Sequence, residues 1–384
     1  MKKSDSVHRI PIAIPVTGEE ERAAISEVLA SGWLTQGPKV AAFEKAFAAR
    51  HGVKHALATT SCTTALHLAL LALGVGPGDD VIVPSFTWVA TANAVIYCGA
   101  RPILADVDAN TFNINPADVA RRITPKVKAI IAVHLFGLTA DMDALKEAAP
   151  GVPIIEDAAC AAGASYKGQS AGSLGAAGCF SFHPRKVITT GEGGMVTTND
   201  NAISKAMNIM RNHGASVPEE TRHSGAAPFL LPGFDTLGFN YRMTDLQGAM
   251  GLAQLAKLDR FIAERNEIAA AYARELAGIE WLRAPVTPEG YCHGWQSYVV
   301  MMDGKQAPMS RDAVMAALKE QGVDSRPGTH SVHMLGYYAA RYGYKPDDYP
   351  VSRMCAEQTM ALPMHNKMTI EDAARAAAAL RSLR

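Results

Sequence analysis

The stretch Phe180-Ser181-Phe182-His183-Pro184-Arg185-Lys186-Val187-Ile188-Thr189-Thr190-Gly191-Glu192-Gly193-Gly194 decides how this chain is read. It leaves a short apolar run, Cys179–Phe182, passes one lysine and enters a Gly-rich turn. A lysine just past a buried strand can be held out of water, which lowers its pKa toward reactivity. Taken alone, Lys186 could equally be a solvated loop lysine beside a hairpin turn. Its neighbours in the chain decide between the two.

Upstream, apolar runs of the same kind recur at His55–Ala58, Val81–Val83, Pro102–Ala105, Ala129–Val133 and Pro153–Ile155. Helical patterns and turns such as Gly76-Pro77-Gly78-Asp79 separate them. Continuous apolar strands alternating with helices predict a largely parallel sheet covered on both faces, with ligands at the carboxyl ends of its strands. Three features fall at such ends. Thr59-Thr60-Ser61-Cys62-Thr63-Thr64 opens the apolar helix Ala65–Leu73, so free amides and hydroxyls suit a phosphate, or serve as an ordinary N-cap. Glu156-Asp157 closes a strand, where an acid suits a cationic ring nitrogen or caps the Ala-rich segment that follows. Trp88 offers a flat apolar face to a ring, or packs in the core.

Phosphate cradle, ring face, acid and lysine are together the parts of a pyridoxal phosphate (PLP) site, and their agreement outweighs the plain reading of each. No GxGxxG or GxxxxGK[ST] motif points to a dinucleotide or nucleoside triphosphate. The 384 residues are 48% hydrophobic with 37 basic and 37 acidic side chains, and zero net charge argues against nucleic acid or an anionic membrane as main partner. The six cysteines form no CxxC pair, so structural zinc is not expected, and the His330/His333 pair reads as a surface turn before a metal site. The uncharged stretch Val81–Ala100 holds Pro84, Ser85, Thr87, Thr91 and Asn93, so it reads as a buried strand and helix, not a membrane span. The start Met1-Lys2-Lys3-Ser4-Asp5 lacks an apolar signal region, so a cytoplasmic protein is expected.

Residues 1–243 read as a large α/β domain with an N-terminal arm. Residues 244–384 read as a smaller α+β domain entered by one long helix, Thr244–Leu276, and including Ser297–Met302 and a final helix with a Thr369/Asp372 capping box. The polar, aperiodic segment Ser216–Leu231 predicts a mobile loop between them.

The chain resembles the DegT/DnrJ/EryC1/StrS family of sugar aminotransferases. The resemblance is carried by Ser181–Gly194, Glu156-Asp157-Ala158-Ala159, Gly238-Phe239-Asn240-Tyr241-Arg242-Met243-Thr244-Asp245, Gly32–Pro38 and Leu362–His365. It implies the fold-type-I aspartate aminotransferase architecture, with PLP as cofactor and its pyridoxamine form as intermediate. It implies that Lys186 carries the Schiff base, Asp157 holds the ring nitrogen protonated and Trp88 stacks on the ring. Ser181, Thr63 and the Cys62 amide would bind the phosphate, and Asn240 would reach the phosphate of a neighbouring subunit in a homodimer. Thr35, His183, Glu192, Arg326 and His330 are expected to contact substrate, Arg326 at the pyrophosphate and His330 at the sugar. Two positions depart from the family: Cys62 replaces a frequent glycine, so its turn must avoid positive φ, and Cys160 replaces a glutamine near the cofactor hydroxyl.

The implied activity is transfer of an amino group from L-glutamate to a nucleotide-linked keto-sugar, best matched at C4 of a 4-keto-6-deoxy sugar. C3 or cyclitol amination is the alternative. Dehydration is disfavoured because Lys186 is not replaced by histidine. A PLP-binding regulatory protein is disfavoured by the neutral charge and by the lack of a DNA-binding appendage.

Overall fold

A computed structural model describes residues 8–216 and 231–383. Met1–Val7 and all of Ser216–Leu231 between its two end residues lie outside the described residues, and with them the N-terminal start and the expected loop.

Seven strands form the main sheet: β1 (His55–Thr59), β2 (Asp80–Pro84), β3 (Arg101–Ala105), β4 (Val127–Val133), β5 (Ile154–Asp157), β6 (Ala177–Ser181) and β7 (Gly194–Thr198). Their order is β1-β7-β6-β5-β4-β2-β3. All run one way except β7, which is antiparallel to both neighbours. The six apolar runs of the sequence are six of these strands. The seventh, β7, is an addition that the apolar pattern does not announce. It is buried throughout because Thr197 Oγ1 donates to the Gly172 carbonyl at 2.6 Å and Thr198 Oγ1 to the Ala176 carbonyl at 2.7 Å.

Helices cover both faces. Cys62–Ala72 and Ala90–Tyr97 pack with the Val81, Val83, Leu104 and Ile131 side of the sheet, while the other side meets Val119, Met142 and Leu145. The stretch Val81–Ala100 is therefore strand followed by helix, as its composition predicts.

The expected single helix Thr244–Leu276 is two, Asp245–Leu255 and Leu258–Leu276, separated at Ala256-Lys257. Each half has its own partner. The first packs against the helices Glu19–Ser31 and Pro38–His51, the second against the final helix Ile370–Arg381. A second sheet, β8 (Leu282–Arg283), β9 (Tyr298–Met302), β10 (Arg326–Pro327) and β11 (Thr359–Leu362), is antiparallel in the order β8-β9-β11-β10. The last helix starts at the expected capping box, with Thr369 N–H donating to Asp372 and Asp372 N–H to Thr369 Oγ1, both at 3.1 Å. The chain returns beside the main sheet at His330-Ser331, which forms a separate two-stranded pair with Thr87-Phe86 just past β2.

Candidate active site

One edge of the main sheet gathers the chemistry. The parallel strands β1, β2, β5 and β6 end there, and β7 begins there, with Gly194 opposite both Thr59 and Ser181. Gly194 is glycine for want of space. A Cβ at this position would lie 2.4 Å from the Ser61 carbonyl carbon and 2.7 Å from the Cys62 nitrogen.

Past β1, Ser61 has extended backbone (φ −167°) and caps the helix Cys62–Ala72 through Thr64 N–H. Cys62 is therefore the first helical residue, and its Cβ demands no left-handed turn. The amide end of this eleven-residue helix faces the sheet edge, and among the described residues the Thr63 hydroxyl takes no hydrogen bond. The thiol of Cys62 turns inward, 3.4 Å from the Cys179 carbonyl and 3.8 Å from Asp157 Oδ1. Burial, with Asp157 beside it, pushes this thiol well above its ordinary pKa, so it is neutral.

Asp157 ends β5 and is 6% exposed. Its Oδ2 accepts from Thr91 Oγ1 at 2.7 Å, and its Oδ1 accepts from Ala159 N–H at 3.2 Å. It thus makes the local cap that the sequence allowed and still presents a fixed carboxylate to the site. Its neighbour Glu156 serves the scaffold. Glu156 is fully buried, accepts from Gly172, Leu174 and Gly175 N–H at 2.6–2.7 Å, and meets His134 Nε2 at 2.8 Å. Because His134 Nδ1 accepts from Ala140 N–H, its proton sits on Nε2, facing Glu156.

Lys186 is half-buried, and its Nζ lies 3.2 Å from Cys160 Sγ. The expected depression of its pKa is not seen. Burial pulls the ammonium down, but the contact with Cys160 and the nearby Asp157 carboxylate pull harder the other way, so it stands above its ordinary value. Cys160 thus meets the lysine itself.

Trp88 is not a core residue. It is 58% exposed and its ring lies 5.6 Å from that of His330. The Trp88 carbonyl accepts from Thr91 N–H, so Thr91 ties Trp88 to Asp157. Ser181 ends β6 with its Oγ 3.4 Å from His183 N, and burial lowers the His183 pKa, with Glu192 the opposing charge. His333 is buried, between Ser85 Oγ at 2.7 Å and the Pro346 carbonyl at 3.0 Å, so it braces the turn that presents His330 and is not at the surface.

The remaining expected residues lie at the surface of this chain. Thr35, Glu192, Arg326 and Asn240 are exposed. Thr35 and Glu192 both reach the start of the helix Asp245–Leu255: the Thr35 carbonyl accepts from Asp245 N–H and the Glu192 carbonyl from Gln247 Nε2. Asn240 bridges Asn212 through its backbone, and the same ribbon gives the Tyr241 carbonyl to Thr60 N–H beside the phosphate cradle. Thr91, Glu156 and Gly194 carry this geometry without having been singled out one by one. Their signals were a threonine one turn after Trp88, an acid beside Asp157 and the last glycine of the Gly-rich turn.

The family model for the DegT/DnrJ/EryC1/StrS aminotransferases matches residues 15–381. GDP-perosamine synthase of Caulobacter vibrioides is 42% identical, covering 97% of each chain. The spore coat polysaccharide biosynthesis protein SpsC of Bacillus subtilis is 40% identical, covering 95% of this chain and 94% of its own. The Streptococcus pneumoniae protein Spr1654, solved in its PLP form, superposes with a TM-score of 0.90 at 27% identity, covering 98% of each chain. The mostly parallel sheet is that of the fold-type-I transferases. With match, relatives and fold in agreement, this chain belongs to the DegT/DnrJ/EryC1/StrS aminotransferase family.

Proposed function

We propose that this protein is a PLP-dependent aminotransferase that moves an amino group from L-glutamate to C4 of a nucleotide-linked 4-keto-6-deoxy sugar. The observation that carries the reading is the meeting of an amine and a fixed carboxylate, Lys186 and Asp157, at one sheet edge beside a helix amide end. Family membership supports the reaction class, and the relationship to GDP-perosamine synthase supports the choice of acceptor.

The residues fit PLP. Gly194 keeps open a cradle beside the Ser61–Cys62 backbone that a Cβ would fill. The Cys62 amide with the Thr63 and Ser181 hydroxyls supplies uncharged donors suited to a phosphate at a helix N-terminus. Asp157, held by Thr91 and Ala159, would keep a ring nitrogen protonated, and Trp88 would cover a ring face. When bound, PLP supplies an electron sink that lets the carbon–hydrogen bond beside the amine break. By this reading Lys186 Nζ, acting in its uncharged form, would take the proton from the glutamate α-carbon and deliver one to the sugar carbon that becomes aminated, which would fix its configuration.

Cys160 would sit at the cofactor hydroxyl and steer the lysine. Thr35, His183, Glu192, Arg326 and His330 would line the substrate side, with Asn240 serving the site of a second subunit. The retained lysine favours amination over dehydration.

The test is the visible absorption of the purified protein with PLP, before and after L-glutamate. A band that is lost on adding glutamate, and is absent from Lys186→Ala, is the expected result. A band unchanged by glutamate would refute the donor, and no band at all would refute the cofactor. Product analysis with 4-keto and 3-keto nucleotide sugars then decides the position.

A further inference from the structure

The loop that carries Lys186 is closed at a neck. Phe182 N–H donates to the Gly193 carbonyl at 2.9 Å, while Thr190 N–H and Thr189 Oγ1 both donate to the Phe182 carbonyl, at 3.0 and 2.7 Å. Lys186 lies on the bend that these bonds enclose. The neck is in turn held from outside: Thr189 N–H donates to Gln254 Oε1 at 3.2 Å.

Gln254 is 1% exposed, on the helix Asp245–Leu255. A buried amide costs stability unless every group is paired, and a leucine would pack such a helix position more cheaply. Here every group is paired. Nε2 donates to the Val16 carbonyl and to Glu21 Oε1, both at 2.8 Å, which leaves Oε1 facing Thr189. Glu21 is itself 2% exposed and is neutralised by Lys257 Nζ, at 2.7 and 2.9 Å from its two oxygens. Its Oε2 also accepts from Gly18 N–H at 2.7 Å. Lys257 stands in the break between the two helices that sequence periodicity reads as one. The break, the segment before the first helix and the lysine loop thus meet on a single amide.

We propose that Gln254 is a positioning residue for Lys186, its carbonyl fixing the neck of the lysine loop and the Glu21–Lys257 pair fixing that carbonyl. The proposal rests on the reading of Lys186 as the cofactor-holding amine.

Gln254→Leu keeps the bulk and removes the acceptor. In the full chain without cofactor, amide hydrogen exchange across residues 182–193 is expected to quicken by about tenfold, the equivalent of one lost hydrogen bond. With PLP added, the pH midpoint of the visible band is expected to move, and kcat to fall while KM for both substrates stays near the wild-type value. Wild-type exchange together with an unmoved midpoint would overturn the proposal. Should Gln254→Leu not fold, a second pair decides. Gln254→Glu sets two carboxylates against each other, and Glu21→Gln with Gln254→Glu restores one amide and one carboxylate beside Lys257. The double variant is expected to regain wild-type exchange and midpoint, and a double variant no better than the single one overturns the proposal. A wild-type chain that takes up no PLP would sink the proposed function, while the exchange measurement still decides whether Gln254 holds the loop.

Discussion

Asp157 shows how the site is held at the scale of one residue. Its carboxylate is nearly dry, and Thr91 and Ala159 satisfy it from two sides. Thr91→Val keeps the shape and removes a charge-assisted hydrogen bond worth about 1.5–3 kcal/mol. The variant is expected to unfold at lower denaturant by that amount and to bind PLP more weakly, which equilibrium unfolding and cofactor titration would measure. An unchanged midpoint would mean that Asp157 has another partner. The sequence shows Asp157, because an acid closing an apolar run is conspicuous. It does not single out Thr91, which lies 66 positions away and meets Asp157 only because two strands end at one edge.

Among the elements, the turn between β5 and β6 depends on Glu156. Three backbone amides and His134 converge on that buried carboxylate, so Glu156→Ala would leave several buried donors unpaired. A loss of about 3–5 kcal/mol is expected on the scale of broken buried pairs, with Glu156→Gln milder, read by chemical denaturation. Sequence adjacency to Asp157 conceals this division of labour. Two errors of element reading have the same kind of cause. β7 begins with glycine and ends in two threonines, and it becomes a buried strand only where carbonyls of residues 172 and 176 accept its hydroxyls. The helix break at Lys257 is invisible to periodicity, because Leu255, Leu258 and Ile262 keep helical spacing across it.

For the whole molecule, buried histidines set an acid limit. Burial pushes His51 and His365 down to about 4 and His293 to about 3, against 6.5 for the free group. Below pH 6.5 the unfolded chain binds protons that the folded chain refuses, so stability rises with pH in this window and is lost as pH falls toward 4. Each histidine contributes a slope of about 1.4 kcal/mol per pH unit. The denaturant midpoint should fall steeply between pH 6.5 and 4, and His51→Leu should remove one histidine's share of the slope. An equal slope in the variant would show that His51 is not buried neutral.

The sequence by itself determined the α/β class, six of the seven main strands, the final capping box and the strand-end positions of Lys186, Asp157 and Trp88, because strand periodicity, capping and strand-end placement are local properties. Tertiary structure alone decided that Thr91 clamps Asp157, that Cys160 meets the lysine, that Gly194 must be glycine and that Gln254 reaches the lysine loop. Those facts depend on which strands lie side by side and how closely two backbones approach. Chain order records neither.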